Sequence, residues 1–400
     1  MIPELRQSFN AGFDQARYRV FIDALQRRSG TEIHFRVSET PCFFPRELMD
    51  RLAWTGGELI DQLLSNPDYR RASDGTIPPE FHAPNEGDHP LFVQVDFGLV
   101  RGADGRVEPR LVELQAFASL YALQRELADQ YRESWGLPSE LRTFIGDLDD
   151  SGYDALVRRA IVGAHDPDEV VLMEIDPDYQ KTRPDFVVTE RRLGVRAVDI
   201  RAIVQEGRRL FYHANGRRVP IRRIYNRTIV DELVRRGVKP PFDYRDDLDV
   251  EWAGHPNWYF RISKFSLPWL RHPAVPRTWF LDRLESLPED RGNFVLKPLY
   301  SFAGSGIVFE PTDADLAAIP PERRHEYVLQ ERVRFTPVIE TPHGPTQVEI
   351  RIMYIWLERL TPVLPLLRMG RGKMMGVDHN RNMQWVGASA GLIQEEGGRR

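Results

Sequence analysis

Between Phe294 and Phe309 the chain reads FVLKPLYSFAGSGIVF. An apolar run ends at Lys297, a short loop supplies Gly304, Ser305 and Gly306, and a second apolar run follows. Backbone N–H groups in such a turn can approach phosphate oxygens closely, because no Cβ stands in the way. Lys297 adds a point charge suited to the same phosphates. The alternative is a hairpin whose Gly-Ser-Gly turn satisfies geometry alone. Downstream, TQVEIRIMYIW puts Glu349 and Arg351 on one strand face by the period of two. An arginine beside a charged neighbour on a β face suits a carboxylate or phosphate, or else the pair faces solvent. LLRMGRGKMMGVDHNRN then adds Arg368, Arg371, Lys373, Asp378, Asn380 and Arg381 between apolar stretches. That density of charge fits an anionic ligand site or a solvated loop.

A third cluster lies near the N-terminus. VQVDFGL carries Asp96, and LVELQAF carries Glu113 and Gln115, all inside otherwise apolar strands. Glu113 and Gln115 share a strand face, with Asp96 beside them on the partner strand. Two carboxylates and an amide oxygen on a rigid sheet suit Mg²⁺, a hard cation that takes oxygen ligands and often bridges nucleotide phosphates. The competing reading is a half-exposed hairpin with ordinary polar residues on its wet face.

Other motifs fail on context. GASAG at Gly387 to Gly391 fits the GxSxG pattern of a hydrolase elbow, but that fold needs a following helix and a later histidine. Here the last histidine is His379, upstream of Ser389. The Walker spacing is absent, GRGKMMG does not fit GxGxxG, and HEYVL at His325 lacks the second histidine of a zinc helix. Asn226-Arg227-Thr228 is a glycosylation triplet with no secretory route to give it meaning.

The elements that must position these residues alternate in period. Leu48, Met49, Leu52, Ala53, Leu59, Ile60, Leu63 and Leu64 recur as one helix face. Residues 66–90, rich in Pro, Asp and Gly, read as a loop. LFVQVDFGLV and PRLVELQAFASL form a hairpin around GADG, and ALQRELADQYRESW follows as a helix ending near Gly136. From Tyr153, EVVLMEI reads as a buried strand, FVVTERRLG as a strand entering a helix, and VRAVDIRAIV as another strand. LFYHANGRRVPIRRIYNR places an Asn-Gly turn between two strands. This alternation predicts an α/β layer on a mostly parallel sheet, closed by the Pro- and Asp-rich stretch 239–256. Further strands follow from Trp258 onward.

The whole is 400 residues and 46.4 kDa, enough for two or three domains with a large core. With 54 basic and 59 acidic residues the net charge is −5, and 42% of residues are hydrophobic. That excludes a disordered or fibrous chain and offers no general attraction for nucleic acid. Cys42 is the single cysteine, so no internal disulfide or Cys-based metal site exists. No signal peptide or membrane span is legible, and a cytoplasmic location is the expectation.

KPLYSFAGSGI, VLQERV and VEIRIMYIW together resemble the consecutive motifs of ATP-grasp enzymes. In that family a lysine and a glycine-rich loop clamp ATP phosphates, a hinge glutamate holds the nucleoside, and an arginine follows on a strand. The family's acidic strand pair normally closes the domain; here its nearest match, VDFGL…VELQ, sits near the N-terminus. The sequence therefore resembles a circularly permuted ATP-grasp protein, of the kind that includes glutathionylspermidine-synthase-like ligases. The resemblance implies an α/β (α+β) architecture in three parts. Residues 1–150 would hold helices and the permuted metal-binding hairpin, 151–257 a Rossmann-like preATP-grasp domain, and 258–400 the nucleotide-binding region with its lid. ISKFSLPWLRHPAVPRTWF is similar to the family's lead-in, with Lys264 at a phosphate-lysine position. Gln115 stands where the family usually has Asn.

The resemblance implies Lys264, Lys297 and Gly304 to Gly306 on the ATP phosphates, and Glu331 at the nucleoside. Mg²⁺ would sit on Asp96, Glu113 and Gln115. The implied reaction joins a small-molecule carboxylate to an amine through an acyl phosphate, with Arg351 and Arg368 stabilising developing charge. Arg223, Asn226 and Arg227, with the HPNW segment, would contact substrate. A small-molecule kinase, a non-catalytic nucleotide-binding module and a protein that binds no nucleotide are the alternatives. Oligomeric state is not legible.

Overall fold

Period-two alternation along two long strands decides which side of the main sheet is oily and which is charged. The computed structural model describes residues 1–284, 286–301, 306–380 and 382–395. The N-terminal part supplies α1 (Pro3–Ala11), α2 (Gln15–Ser29), β1 (Cys42–Pro45), α3 (Arg46–Leu64), α4 (Pro67–Asp74), β2 (Phe92–Arg101), β3 (Val107–Gln115), α5 (Leu123–Trp135) and β4 (Leu141–Arg142). The middle contains α6 (Asp150–Ile161), β5 (Val170–Glu174), α7 (Arg183–Leu193), β6 (Arg196–Asp199), β7 (Val204–Glu206), β8 (Arg209–Ala214), β9 (Arg217–Ile221), β10 (Arg223–Asn226) and β11 (Glu251–Ala253). Then follow β12 (Thr278–Phe280), β13 (Phe294–Pro298), β14 (Val308–Phe309), β15 (Tyr327–Glu331), β16 (Gln347–Trp356), β17 (Leu360–Gly370) and β18 (Gly387–Gln394).

The architecture is mixed α/β. The largest sheet runs β1-β18-β17-β16-β2-β3, with β4 also on β18, so it unites both ends of the chain. Along β2, Val93, Val95 and Phe97 face α3 together with Val348, Ile350 and Ile352 of β16. Leu52, Leu59, Ile60 and Leu63 of α3 fill that layer, and Tyr354 donates its hydroxyl to the Ala53 carbonyl at 2.7 Å. Alternation therefore turns Gln94, Asp96, Glu349 and Arg351 to the opposite face.

The second sheet, β6-β5-β10-β11, is wholly parallel. The third, β12-β15-β13-β14, is antiparallel. It adjoins the β3 edge of the large sheet, where the Leu111 N–H donates to the Ala274 carbonyl and the Ala116 N–H to that of Ile262. Strands β7, β8 and β9 form a small antiparallel sheet, turned at Asn215 and Gly216 as the Asn-Gly pair predicts.

Two local readings differ. The FVVTERRLG stretch is entirely helical within α7: Pro184 opens its first turn, and Gly194 ends it at φ +80°. Residues 66–90 are not all loop. Asn66 caps α4 by accepting from the Asp68 and Tyr69 N–H groups, and Pro67 sits at the first helical position.

The start of β18 imposes the tightest backbone constraint. Gly387 has φ +113°, and a Cβ there would lie 2.4 Å from the Arg36 carbonyl oxygen. That carbonyl accepts from the Ala388 N–H at 2.8 Å, so it cannot retreat without losing the bond. Gly387→Ala should cost about 2 kcal/mol or more, read as a lower urea midpoint. An unchanged midpoint would show that residues 36–38 move aside freely.

Candidate active site

A β-bulge begins the site. Asp96 pairs with Glu113, but the next pair is Phe97 with Leu111, so Val112 is an extra residue on β3. Its carbonyl oxygen is instead met by the Lys297 Nζ at 3.3 Å, reaching across from β13. The late lysine is thus tied to the early hairpin through a group that the bulge releases.

Lys297 is buried. Burial pulls its ammonium down to about 8 from an ordinary 10.5; Glu113 opposes the fall and neighbouring Lys264 adds to it. Lys264 opens a 3₁₀ turn, Lys264–Trp269, capped by Ser263. Its Nζ donates to the Ser301 carbonyl at 2.7 Å and stands 3.9 Å from a Glu113 oxygen.

On the charged face of the large sheet, Asp96 accepts two bonds from Arg351, Nε and Nη2 each at 2.6 Å, and a third from Arg368. Burial acts to raise the Asp96 carboxyl, but the two guanidinium groups outweigh it and hold it below the usual range. Glu349 accepts from the Arg368 Nε at 2.7 Å. Burial pushes its carboxyl up, reinforced by Asp96 and Glu113 against the pull of Arg368. Arg351 also donates to Gln94 at 2.9 Å, and the Gln115 amide lies against the same guanidinium at 2.8 Å. Gly98 continues this face under Val333 and Phe335, whose side chains would stand 2.8 Å from any Cβ there.

Above this belt lies a cavity of about 430 Å³. Glu113, Gln115, Lys264, Lys297, Glu331, Glu349, Arg351 and Arg368 all line it, although they come from widely separated parts of the sequence. Asp96 lies beneath the lining. Glu331, at the end of β15, also faces the Arg277 guanidinium at 3.2 Å. Gly306 has φ +70° and lies just before lining residue Ile307; Gly304, Ser305 and Arg381 fall outside the described residues.

The expected substrate residues go elsewhere. Arg223 donates to the Ile161 and Ala160 carbonyls and pairs with Glu251. Asn226 accepts from the Thr228 N–H, and buried Arg227 binds Asp185 at 2.7 Å above the Phe186 ring. None of the three lines the cavity. They knit the parallel sheet to its helices.

The expected metal cage is also not assembled as a set of free donors. Both Asp96 oxygens are held by arginines, and the Gln115 amide is engaged by Arg351 and Gln94. Among the described residues, no group of three or more His, Cys, Asp or Glu is placed to hold a metal ion. Mg²⁺ on a nucleotide needs only one or two protein carboxylates, the phosphates supplying other ligands. Glu113 fits that lesser role, since its nearest cations stand 3.9 and 4.0 Å away. The paired lysines fit a polyphosphate: among the described residues the buried Lys297 ammonium has a single carbonyl partner, at 3.3 Å, with Lys264 as a second cation beside it. Gln94 is not singled out by the sequence, and Glu349 only as the charged neighbour of Arg351. Gln94 shares the Asp96 face by period two, which was its available signal.

The chain matches no protein-family profile and no curated protein by sequence. Among solved structures, it is similar to a glutathione synthetase-like effector from Globodera pallida in its apo form, with a TM-score of 0.59 and 10% identity. The match covers 94% of this chain and 96% of that one. What they share is the fold. Among the described residues, no helix is long and apolar enough to cross a membrane.

Proposed function

We propose that the protein is an ATP-dependent carboxylate–amine ligase, built on a circularly permuted ATP-grasp plan with a Rossmann-like domain in its middle. The observation that carries this reading is the meeting of Lys264 and Lys297 with Glu113 and the arginine belt around one cavity. The likeness of the whole fold to a glutathione synthetase-like protein supports it. In this reading Lys264 and Lys297 bind the ATP phosphates and Glu331 contacts the nucleoside. Val295, Leu299 and Phe309 add apolar surface to the cavity lining. Glu113 would hold the Mg²⁺ that accompanies the triphosphate, an ion that would supply charge neutralisation at the phosphates. A substrate carboxylate takes the γ-phosphoryl group from ATP and releases ADP; an amine then attacks the acyl carbon, loses a proton and displaces inorganic phosphate to leave an amide. Arg368 offers a fixed cation to the charge that develops in transfer.

Phosphate release tests the reading. Free phosphate should accumulate only when ATP, Mg²⁺, a carboxylate and an amine are all present. Transfer of the phosphoryl group to one lone acceptor would instead identify a kinase. Absence of any melting shift with Mg·ATP would remove the nucleotide altogether. Glu113→Gln should lower turnover at least about a hundredfold at an unchanged melting midpoint, because among the described residues its carboxylate makes no close hydrogen bond. Full activity in that variant would remove the hairpin from the chemistry.

A further inference from the structure

Across the cavity floor, polarity falls from one edge of the large sheet to the other. The backbone register aligns Glu113, Asp96, Arg351, Leu366 and Ala390 on successive strands from β3 to β18. The next row runs Gly98, Glu349, Arg368 and Ala388. Neighbouring strands lie about 4.8 Å apart, so the four steps from β3 to β18 span about 19 Å. Charge therefore ends at Arg368 on β17, and the floor beyond it is leucine and alanine.

The walls over that far half present apolar side chains as well, while the lysines that also line the cavity, Lys181 and Lys373, are paired with Asp378 and Glu310. Leu123 and Leu127 descend from α5, and Met375 and Val377 come from the loop after β17. Gln124 is the polar neighbour on α5, but its Nε2 donates to the Pro365 and Ser389 carbonyls at 3.2 and 3.0 Å. Its donors serve the sheet. The loop is held in shape by buried Asn380, which accepts from the Arg371 and Gly372 N–H groups and donates to the Met374 carbonyl. Its apolar residues thus form a standing wall.

Arg368 marks the boundary between the halves. Its Nε and Nη2 are bound to Glu349 and Asp96, whereas Nη1 forms no hydrogen bond among the described residues. We infer that the carboxylate substrate carries an apolar tail, a short acyl or arylalkyl group. Its carboxylate meets Arg368, and its tail lies over Leu366 and Ala388 beneath α5. The identity of this tail rests on the ligase reading for its chemistry, while the binding preference stands on the cavity alone.

Calorimetric titration with acetate, hexanoate, 3-phenylpropionate and L-glutamate, without nucleotide, tests the inference. Each methylene removed from water strengthens binding by about fourfold at most, so hexanoate and 3-phenylpropionate should each bind at least tenfold tighter than acetate or glutamate. Ala388→Leu, which fills the floor, and Val377→Glu, which charges the wall, should each erase that preference. Both positions are partly exposed, and an unchanged Mg·ATP melting shift would show that the variants keep their fold. Equal binding of hexanoate and acetate, tighter binding of glutamate, or an undiminished preference in both variants would overturn the inference. If the preference holds and responds to both substitutions, yet hexanoate with ATP and amines releases no phosphate, the ligase reading fails and the apolar site stands.

Discussion

Lys297→Met should lower ATP-dependent turnover by about a hundredfold to a thousandfold and yet make the protein more stable at neutral pH. The lysine is buried against Val112 and Lys264, and its ammonium titrates at about 8 in place of 10.5. That difference corresponds to about 3 kcal/mol of penalty on the charged form. Because the folded value lies below the unfolded one, the penalty is present in full below pH 8. It is lifted as pH rises from about 8 to about 10.5. The stability advantage of the methionine variant should therefore be largest at pH 7 and shrink towards pH 10.5, measured by denaturant unfolding. Polyphosphate favours the protonated amine, so ATP affinity in the unmodified protein should weaken as pH passes about 8, and Lys297→Arg should abolish that slope. Equal stability of Lys297→Met and the parent at both pH values would mean that this amine is better solvated than its surroundings indicate.

Asp96→Ala should have the opposite signature, a loss of fold before any loss of chemistry. Its carboxylate accepts from Arg351 twice and from Arg368 once while 1% exposed. Removing one partner of such a buried pair leaves cationic charge uncompensated, at a cost of about 3–5 kcal/mol. For a chain of 400 residues the melting midpoint should fall by roughly 4–6 °C. Combining Asp96→Ala with Arg351→Met should recover part of that loss, because the stranded guanidinium is removed with its acceptor. A fall under 2 °C in the single variant would show that Glu349 and Glu113 can neutralise both arginines without it. The contrast with Glu113→Gln separates the two hairpin carboxylates, one tied into the sheet and one presented to the cavity.

The parts of this site that could be seen in the sequence are those governed by local periodicity. Alternation in VQVDFGL and VEIRIMYIW puts Asp96, Glu349 and Arg351 on polar faces, and the hairpin and strand boundaries follow from GADG and the apolar runs. Periodicity does not say which polar residues meet. Asp96 and Arg351 are 255 positions apart, and their pairing depends on the register of β2 against β16. That register converts an expected metal ligand into an arginine acceptor. The partner of Lys297 was equally hidden, because a bulge at Val112 has no glycine or proline to announce it. Arg223 and Arg227 misled for the reverse reason. Basic residues beside a strand are as well suited to holding helix carbonyls and Asp185 as to holding a ligand, and composition does not distinguish the two.

The union of distant segments in the large sheet has a consequence for how the protein is made. Strand β2 leaves the ribosome with neither β16 nor β17 yet synthesised, and 255 residues separate Arg101 from Trp356. At about 5–20 residues per second, that gap lasts roughly 13–50 s. Throughout that interval α3 and the newly made hairpin carry an oily surface whose covering strands do not exist. A nascent chain of this topology is a natural client for a holding chaperone, and its final collapse is a late event governed by long-range closure rather than by the early hairpin.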